Sequence, residues 1–271
     1  MGANPHPPDP TRGVPDVPSP ASPGIPPGPA ERARDLTALG GFAVWQVERD
    51  GLVPLPAALR ADALLDRFAA TRAGLAAATG LPTEDVLTRT AVSAAQVGLV
   101  SRLWSVALAS VALHSWVPDL RAEQLLVAGS HRNPSPMALK EPTAGHRVHD
   151  TSEAVTVVGD LVVHGAVADV TEACREHGST SANVLVSNAA SSLVAAARVI
   201  GRAVPAQSAA LDRLARSLLE LPWLAAGGGY RPADGTEEFK RTGCCLYYRL
   251  PGHGLCPDCV LVRPGRPASA H

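Results

Sequence analysis

The sequence has almost no excess of either charge. With 24 basic and 25 acidic residues among 271, it lacks the positive field that attracts nucleic acid, so we expect no nucleic-acid partner. Its start lacks the basic stretch and apolar core of an export signal, which predicts a cytoplasmic location. No arrangement of Ser, His and Asp or of paired carboxylates stands out, so no residue is predicted to act as a catalytic nucleophile or general acid–base.

Cysteine is also scarce, except at one place. Four of the five cysteines lie between residues 244 and 259, and Cys174 alone lies elsewhere. This distribution does not suit a secreted disulfide framework and favours a metal site in a reducing compartment. We expect Cys174 to be a small apolar side chain within a helix.

The composition divides the chain into four parts. Residues 1–35 are rich in proline and poor in apolar residues, which predicts a disordered tail, with a proline-rich docking arm as the alternative. Residues 36–240 are predicted to form a helical domain, residues 241–262 the cysteine segment, and residues 263–271 a short C-terminal tail.

Apolar periodicity predicts a mainly α protein with a small antiparallel β-sheet, an α+β fold. A long helix is predicted to be capped by Thr83 and to run through the apolar stretch 91–117, which we interpret as buried rather than membrane-spanning because it contains Arg102. The other predicted elements are helices from after Pro56 to Gly80 and over 150–178, 181–201 and 206–221, and strands over 124–128 and 137–139. Gly227-Gly228-Gly229 is interpreted as a flexible connector, because a phosphate-binding loop would need a preceding strand and a lysine with a hydroxyl.

The cysteine spacing is the most specific chemical signal. Cys256-x-x-Cys259 can direct both sulfurs to one metal. The adjacent Cys244 and Cys245 project apart, which suits a two-iron, two-sulfide cluster whose four thiolate ligands diverge. Structural zinc and a disulfide or free thiols remain alternatives. The chain after Cys245 is predicted to form a hairpin, with one strand at Leu246–Arg249 and the returning strand at Val260–Val262, which would bring the two cysteine pairs together.

The C-C-x10-C-x2-C arrangement, with Phe239-Lys240-Arg241 before it and Leu246-Tyr247-Tyr248-Arg249 inside it, resembles the C-terminal segment of FhuF-type ferric-siderophore reductases. Weaker similarity, over about residues 36–262, includes Ser101-Arg102-Leu103-Trp104-Ser105, the stretch 112–120 and the run 188–198. The resemblance implies that Cys244, Cys245, Cys256 and Cys259 hold a 2Fe-2S cluster that passes an electron to siderophore-bound iron.

Other residues near these motifs are candidates for lesser roles. Arg102, Trp104, His114 and Arg249 are predicted to contact the substrate. Positive side chains flank the cysteines and would favour the reduced cluster, opposed by acidic neighbours. These are Lys240, Arg241, Arg249, Arg263 and Arg266 against Glu237, Glu238 and Asp258. His253 is predicted to be an exposed turn residue rather than a fourth ligand, and His146 and His149 are not predicted to bind metal.

Three functional hypotheses follow. The first is a ferric-siderophore reductase that receives electrons from an unidentified donor, with a peripheral contact to the inner membrane or a transporter. The second is a siderophore-binding or scaffolding module with structural zinc. The third is a general 2Fe-2S electron carrier.

Overall fold

A computed structural model describes residues 27–130, 135–233 and 236–262. The helices of this part of the chain are α1 (Pro29–Ala38), α2 (Leu55–Ala58), α3 (Ala61–Thr79), α4 (Thr88–His114), α5 (Thr151–Val158), α6 (Ala168–Gly178), α7 (Ala182–Ala203), α8 (Ser208–Leu219) and α9 (Pro222–Ala225). The strands are β1 (Leu52–Pro54), β2 (Trp116–Pro118), β3 (Leu125–Ala128), β4 (Met137–Leu139), β5 (Gly145–Arg147), β6 (Gly228–Ala233) and β7 (Thr236–Arg241). The predicted mainly α fold with a small antiparallel sheet is confirmed.

The long helix α4 is the centre of the hydrophobic core. It packs against α3, α6 and α7, while α8 packs mainly on α7 and α5. Its side chains are buried around nearly the whole circumference, and Trp104, Val106 and Leu108 have no exposed surface. Such a helix has no polar face because other helices surround it. It ends at His114, where Ser115 adopts a left-handed conformation, before Pro118.

Two predicted boundaries are wrong. The tail was predicted to extend to residue 35, but α1 begins at Pro29 and buries Leu36. Proline at the start of a helix has no hydrogen bond to lose, so a proline-rich stretch can lead directly into one. Thr83 does not cap the long helix. It begins a separate 3-10 turn over Thr83–Asp85, and α4 starts only at Thr88. The rest of the predicted N-terminal tail and the C-terminal tail lie outside the described residues.

The predicted helix over 150–178 forms with an irregular centre. Asp150 accepts a hydrogen bond from the Glu153 amide at 2.9 Å, while Glu153 accepts one from the His149 amide at 2.7 Å. The first bond satisfies a donor that a helix start leaves free, and the second ties the residue before the N-cap to the first turn. Between α5 and α6 the backbone widens into a π-helix over Gly159–Val167.

Strands β3 and β4 confirm the predicted pair and form a three-stranded antiparallel sheet with β1, in the order β1-β3-β4. Leu126 pairs with Pro54 on one side and with Ala138 on the other. Two more antiparallel pairs, β2 with β5 and β6 with β7, lie outside this sheet.

The triple glycine is not a flexible connector, because Gly228 and Gly229 begin β6 of the β6–β7 hairpin and Gly227 immediately precedes the strand. Gly228 pairs with Arg241, and Gly229 pairs with Lys240. A β-carbon at Gly227 would lie 2.5 Å from the Val186 carbonyl oxygen of α7. The absence of side chains therefore lets this strand approach α7 closely, which brings the end of β7 to the same helix.

Three helical stretches are long and apolar enough to cross a membrane by length and composition: Thr88–His114, Thr151–Gly178 and Ala182–Ala203. In this fold they pack on one another, and 61–67% of their most apolar windows is buried. Burial within the protein thus accounts for much of their apolar character.

Candidate metal centre

The cysteine segment, residues 241–262, follows β7 as an irregular loop. Tyr247–Arg249 forms a 3-10 turn rather than a strand, and Val260–Val262 has no strand conformation. The predicted hairpin within the segment is therefore wrong. Leu246 has a left-handed conformation, with φ of 70°, which turns the chain immediately after Cys245 and ends any extended run.

All four predicted ligands line one open cavity of about 260 Å³. Cys244 and Cys245 lie on one side of the loop, and the returning chain supplies Cys256 and Cys259. The cavity is completed by Val97 of α4, by residues of α7 and by Tyr247, Tyr248, His253 and Leu255. We call it the cysteine pocket. All five cysteines of the chain are free thiols, and Cys174 is buried and does not line the pocket.

Hydrogen bonds to α7 fix the start of the segment. The Gly243 amide donates to the Ser187 hydroxyl at 2.7 Å, and the hydroxyls of Ser187 and Thr242 are 3.0 Å apart. Thr242 also donates to the Ala226 carbonyl oxygen at 2.6 Å. These contacts hold the backbone that leads into Cys244 and Cys245.

A second set of contacts reaches α4. The Ser93 hydroxyl donates to the Cys245 carbonyl oxygen at 2.9 Å, and the Asn188 side-chain amide donates to Ser93 at 2.9 Å. Ser93 and Asn188 have no exposed surface. Since buried polar groups are strong constraints when their hydrogen bonds are satisfied, Cys245 has a fixed position relative to both central helices.

Arg241 is a buried cation at the base of the pocket. Its Nη2 donates to Asn188 Oδ1 at 2.5 Å, and its Nη1 lies 4.0 Å from Cys256 Sγ. Asp258 Oδ2 lies 3.9 Å from Arg241 Nε and also accepts a hydrogen bond from the Ser191 hydroxyl. Arg241 Nε is fully buried and has no hydrogen-bond acceptor among the described residues.

The thiols have different acidities. The sulfurs of Cys245 and Cys256 are 3.7 Å apart. A hydrogen bond from Cys256 lowers the pKa of Cys245, and the same contact raises the pKa of Cys256. Burial raises the pKa of Cys244. Cys245 is therefore the thiol of this pair that loses its proton first, and the thiolate is the form that binds metal.

Backbone amides also point at sulfur. The Leu246 amide donates to Cys244 Sγ, and the Leu261 amide donates to Cys259 Sγ, each at 3.4 Å. Hydrogen bonds of this kind surround the thiolates of iron–sulfur proteins and stabilise their negative charge.

These residues fit a two-iron centre better than a single zinc ion. Two thiolates bound tetrahedrally about 2.3 Å from one metal atom are roughly 3.8 Å apart, close to the separation of Cys245 and Cys256. Over the described residues, however, no three His, Cys, Asp or Glu side chains converge as ligands of one ion would. Four thiols around one cavity, together with the buried Arg241 guanidinium whose Nε has no hydrogen-bond acceptor among the described residues, suit an anionic cluster that distributes its ligands over two irons.

A comparison with family models supports the same assignment. Residues 241–261 match the FhuF 2Fe-2S C-terminal domain. The cysteine segment is a 2Fe-2S segment of the FhuF type. Comparisons with curated proteins and with solved structures give no match. The family match thus assigns the cluster, and it coincides with the segment predicted from the cysteines.

The structure does not bring the upstream substrate candidates to the FhuF-type segment. Trp104 is completely buried and donates to the Ala189 carbonyl oxygen at 3.0 Å. Arg102 is buried on α4, donates to the Gly98 carbonyl oxygen at 2.6 Å and stacks on Phe42. Neither lines the cysteine pocket. For both, packing explains the position better than substrate contact does.

His114 is also remote from the cysteines. It lies at the end of α4, about 30 Å along the helix axis from Ser93. Its Nε2 is 3.6 Å from Asp35 Oδ2 of α1, and burial lowers the pKa of His114. Its contact with α1 indicates a role in packing.

The remaining candidates lie at the surface. Arg249 is exposed beside the pocket, with its guanidinium 5.5 Å from the Tyr248 ring. His253 is exposed in a turn, as predicted, and stacks edge-on against Tyr247. His146 lies in β5 and His149 in the loop before α5, so the two do not share a helical face. Arg263 and Arg266 lie outside the described residues.

Several residues of the site were not predicted from the sequence. Four polar residues of α4 and α7 form hydrogen bonds with the FhuF-type segment: Ser93, Ser187, Asn188 and Ser191. Each lies in a helix whose sequence is otherwise mainly apolar. The available signal was the polar spacing Asn183, Ser187 and Ser191, which marks one stripe of α7 at intervals of four residues. A polar stripe on a buried helix indicates that a segment with hydrogen-bonding groups packs against that face.

Cys174 provides a prediction about thiol reactivity. Burial raises the pKa of Cys174 to about 12, so the reactive thiolate is nearly absent at pH 8. We expect iodoacetamide to leave Cys174 unmodified in the folded protein and to modify it after unfolding in urea, as read by peptide mass spectrometry. Rapid labelling of Cys174 in the folded protein would show that its helix opens readily.

Proposed function

We propose that this protein reduces siderophore-bound Fe(III) to Fe(II) by one-electron transfer. The observation that carries the proposal is the FhuF 2Fe-2S match at residues 241–261, in a segment whose four cysteines line an open cavity. A bound 2Fe-2S cluster supplies a single electron at a time. Because the cavity beside the ligands is open, a chelate can approach them closely, which keeps the electron-transfer distance short.

The rim of the cysteine pocket has the chemistry to hold such a chelate. Tyr248 and Leu255 are each 39% exposed and provide an apolar contact surface next to the cysteines. Burial raises the pKa of Tyr247 to about 12, so this phenol is neutral at physiological pH. Arg249 adds an exposed positive charge, and no carboxylate pairs with it among the described residues. An anionic or catechol-rich ferric chelate would match an aromatic rim of this charge.

Reduction releases the iron because siderophore oxygen ligands are hard and favour Fe(III). After one electron has moved from the donor to the bound Fe(III), the softer Fe(II) is held less tightly and leaves. Arg241 and the amides at Leu246 and Leu261 stabilise negative charge at the cysteines throughout.

Arg249 permits a specific test of substrate docking. We expect Arg249→Ala to raise KM for an anionic ferric siderophore by about 10-fold, the effect of losing roughly 1.4 kcal/mol of binding, with little change in kcat. The control is Arg202→Ala, which removes an exposed arginine near the end of α7. Equal effects of both substitutions would mean that Arg249 acts only through overall charge.

The function itself is tested with anaerobically purified protein. We expect about two irons and two sulfides per chain, a reddish-brown colour, and a rhombic paramagnetic signal after reduction. Mixing the reduced protein with ferric siderophore and an Fe(II)-trapping chelator should reoxidise the cluster as Fe(II) is captured, one iron per electron. A colourless protein with one zinc ion would support the scaffolding hypothesis instead.

A general electron carrier is the second candidate. It would reoxidise with many acceptors at similar rates, whereas a siderophore reductase should saturate with ferric siderophores and discriminate among them. Saturation kinetics across several chelates of matched potential therefore separate the two functions.

We also propose that the reaction takes place in the cytoplasm, with an external electron donor and without nucleic acid. A peripheral contact with the inner membrane or a siderophore transporter would place the enzyme where the chelate enters. Fractionation of cells into soluble and membrane-bound pools tests this location.

A further inference from the structure

The most constrained charge in the pocket is Arg241. It is 4% exposed, although charged side chains are rarely buried without a close partner. Its nearest carboxylate, Asp258, is 3.9 Å from Nε, and no acceptor satisfies Nε among the described residues. A buried cation with an unused donor beside four thiols needs a further anion to offset its desolvation.

Asn188 holds this cation in place. Asn188 Oδ1 accepts from Arg241 Nη2, while the other end of the same amide donates to Ser93, which in turn donates to the Cys245 carbonyl oxygen. Because Asn188 is completely buried between α4 and α7, its orientation is fixed. One side chain therefore determines the position of the guanidinium and supports the backbone of a ligand.

From this arrangement we propose that Arg241, positioned by Asn188, raises the reduction potential of the cluster, while Asp258 lowers it. A four-cysteine 2Fe-2S centre carries roughly two negative charges when oxidised and three when reduced. A buried positive charge 4.0 Å from Cys256 Sγ stabilises the more negative state, and the partly buried Asp258 carboxylate opposes it. The proposal rests on the cluster of the proposed function but not on its siderophore substrate.

The geometry makes the two charges act unequally. Arg241 directs Nη1 towards Cys256, whereas the Asp258 carboxylate is partly satisfied by the Ser191 hydroxyl. The partly exposed Lys240 is paired with the exposed Glu238 at 3.0 Å and also donates to the Pro257 carbonyl oxygen. Solvent screens that pair, so we expect Lys240 to have little influence on the potential.

The test is a redox titration of the cluster-loaded full-length protein, followed by absorbance and paramagnetic resonance. We expect Arg241→Gln to lower the ratio of reduced to oxidised cluster at a fixed ambient potential about tenfold, equivalent to about 59 mV for one electron. Arg241→Lys should retain part of the effect, and Asp258→Asn should shift the potential upwards. Lys240→Gln is the matched surface control and should change the potential little.

The role of Asn188 is tested by replacing it in the wild-type protein and in the Arg241→Gln variant. Asn188→Ala should lower the potential when Arg241 is present and should have little further effect when Arg241 is already glutamine. Equal shifts in the two backgrounds would show that Asn188 acts only on local packing, and would overturn its positioning role.

Other outcomes are equally decisive. An unchanged or raised potential in Arg241→Gln with full iron content, or a lowered one in Asp258→Asn, would overturn the proposal. If Arg241→Gln does not retain its cluster, the opposite shifts expected of Asp258→Asn and Arg241→Lys still decide it. A wild-type protein without any cluster would instead contradict the proposed function.

Discussion

Replacing Cys256 with serine is expected to remove most of the 2Fe-2S cluster and, with it, the reduction of ferric siderophore. A serine hydroxyl remains protonated at neutral pH and is a poor substitute for thiolate on iron. Cys256 is 3.7 Å from Cys245 and close to Arg241, so its loss affects a ligand, a sulfur pair and a charge contact together. Removing a residue that hydrogen-bonds a metal ligand lowers metal affinity by roughly 10- to 100-fold. Because Cys256 is itself a predicted ligand, we expect its loss to lower the affinity for the cluster by at least that factor.

The measurement is iron and sulfide per chain in anaerobically purified variants, together with the visible absorbance of the cluster. Cys244→Ser should behave like Cys256→Ser. The matched control is Cys174→Ala, because Cys174 is fully buried outside the pocket and a serine there would bury an unpaired hydroxyl. A full cluster in Cys256→Ser would remove that residue from the ligand set, and cluster loss in Cys174→Ala would show that the set is wrong.

The cluster could be predicted from the sequence because its chemistry is encoded locally. Thiolate ligands must be cysteines, and four of them lie in one short segment that also matches the FhuF 2Fe-2S domain. The helices were predictable for a similar reason, since apolar spacing and the Asp150 cap are local signals that the fold preserves. The strands β3 and β4 were equally clear, because prolines and a glycine separate two short apolar runs.

The surroundings of the cluster could not be predicted because they depend on long-range contacts. Ser93 and Cys245 are 152 residues apart in sequence, and Asn188 and Arg241 are 53 apart. Neither serine nor asparagine within an apolar helix indicates which segment it contacts. The same limitation explains the error at the triple glycine, whose conformation is decided by the closeness of α7 rather than by its own flexibility.

The strand predicted at Leu246–Arg249 was wrong because side-chain propensity and tertiary contacts favour different conformations there. Tyr and Leu in Leu246–Arg249 favour a strand, but the left-handed backbone at Leu246 and the contacts of the segment with α4 and α7 impose a turn. Metal ligation favours a turn in this segment. The ligands on both sides of it must face one pocket, whereas alternate residues of a strand point to opposite faces.

Replacing Gly243 with alanine is expected to loosen the cysteine segment and to reduce cluster retention. A β-carbon at this position would lie 2.6 Å from the Asn183 carbonyl oxygen and 2.9 Å from the Ser187 hydroxyl. The Gly243 amide donates to that same hydroxyl, so the loop must move away from α7 and lose this anchor. Overpacking of this kind destabilises proteins by about 1–3 kcal/mol.

We expect the free energy of unfolding of Gly243→Ala to fall by about that amount in urea titrations, and iron to be lost faster to a chelator. Gly229→Ala is the matched control, because a β-carbon at Gly229 in β6 would meet nothing within 4 Å. Gly227→Ala should resemble Gly243→Ala, since its β-carbon would lie 2.5 Å from the Val186 carbonyl oxygen. If Gly243→Ala and Gly229→Ala were equally stable and retained iron equally well, close contact with α7 would not be what holds the ligands of the cluster in place.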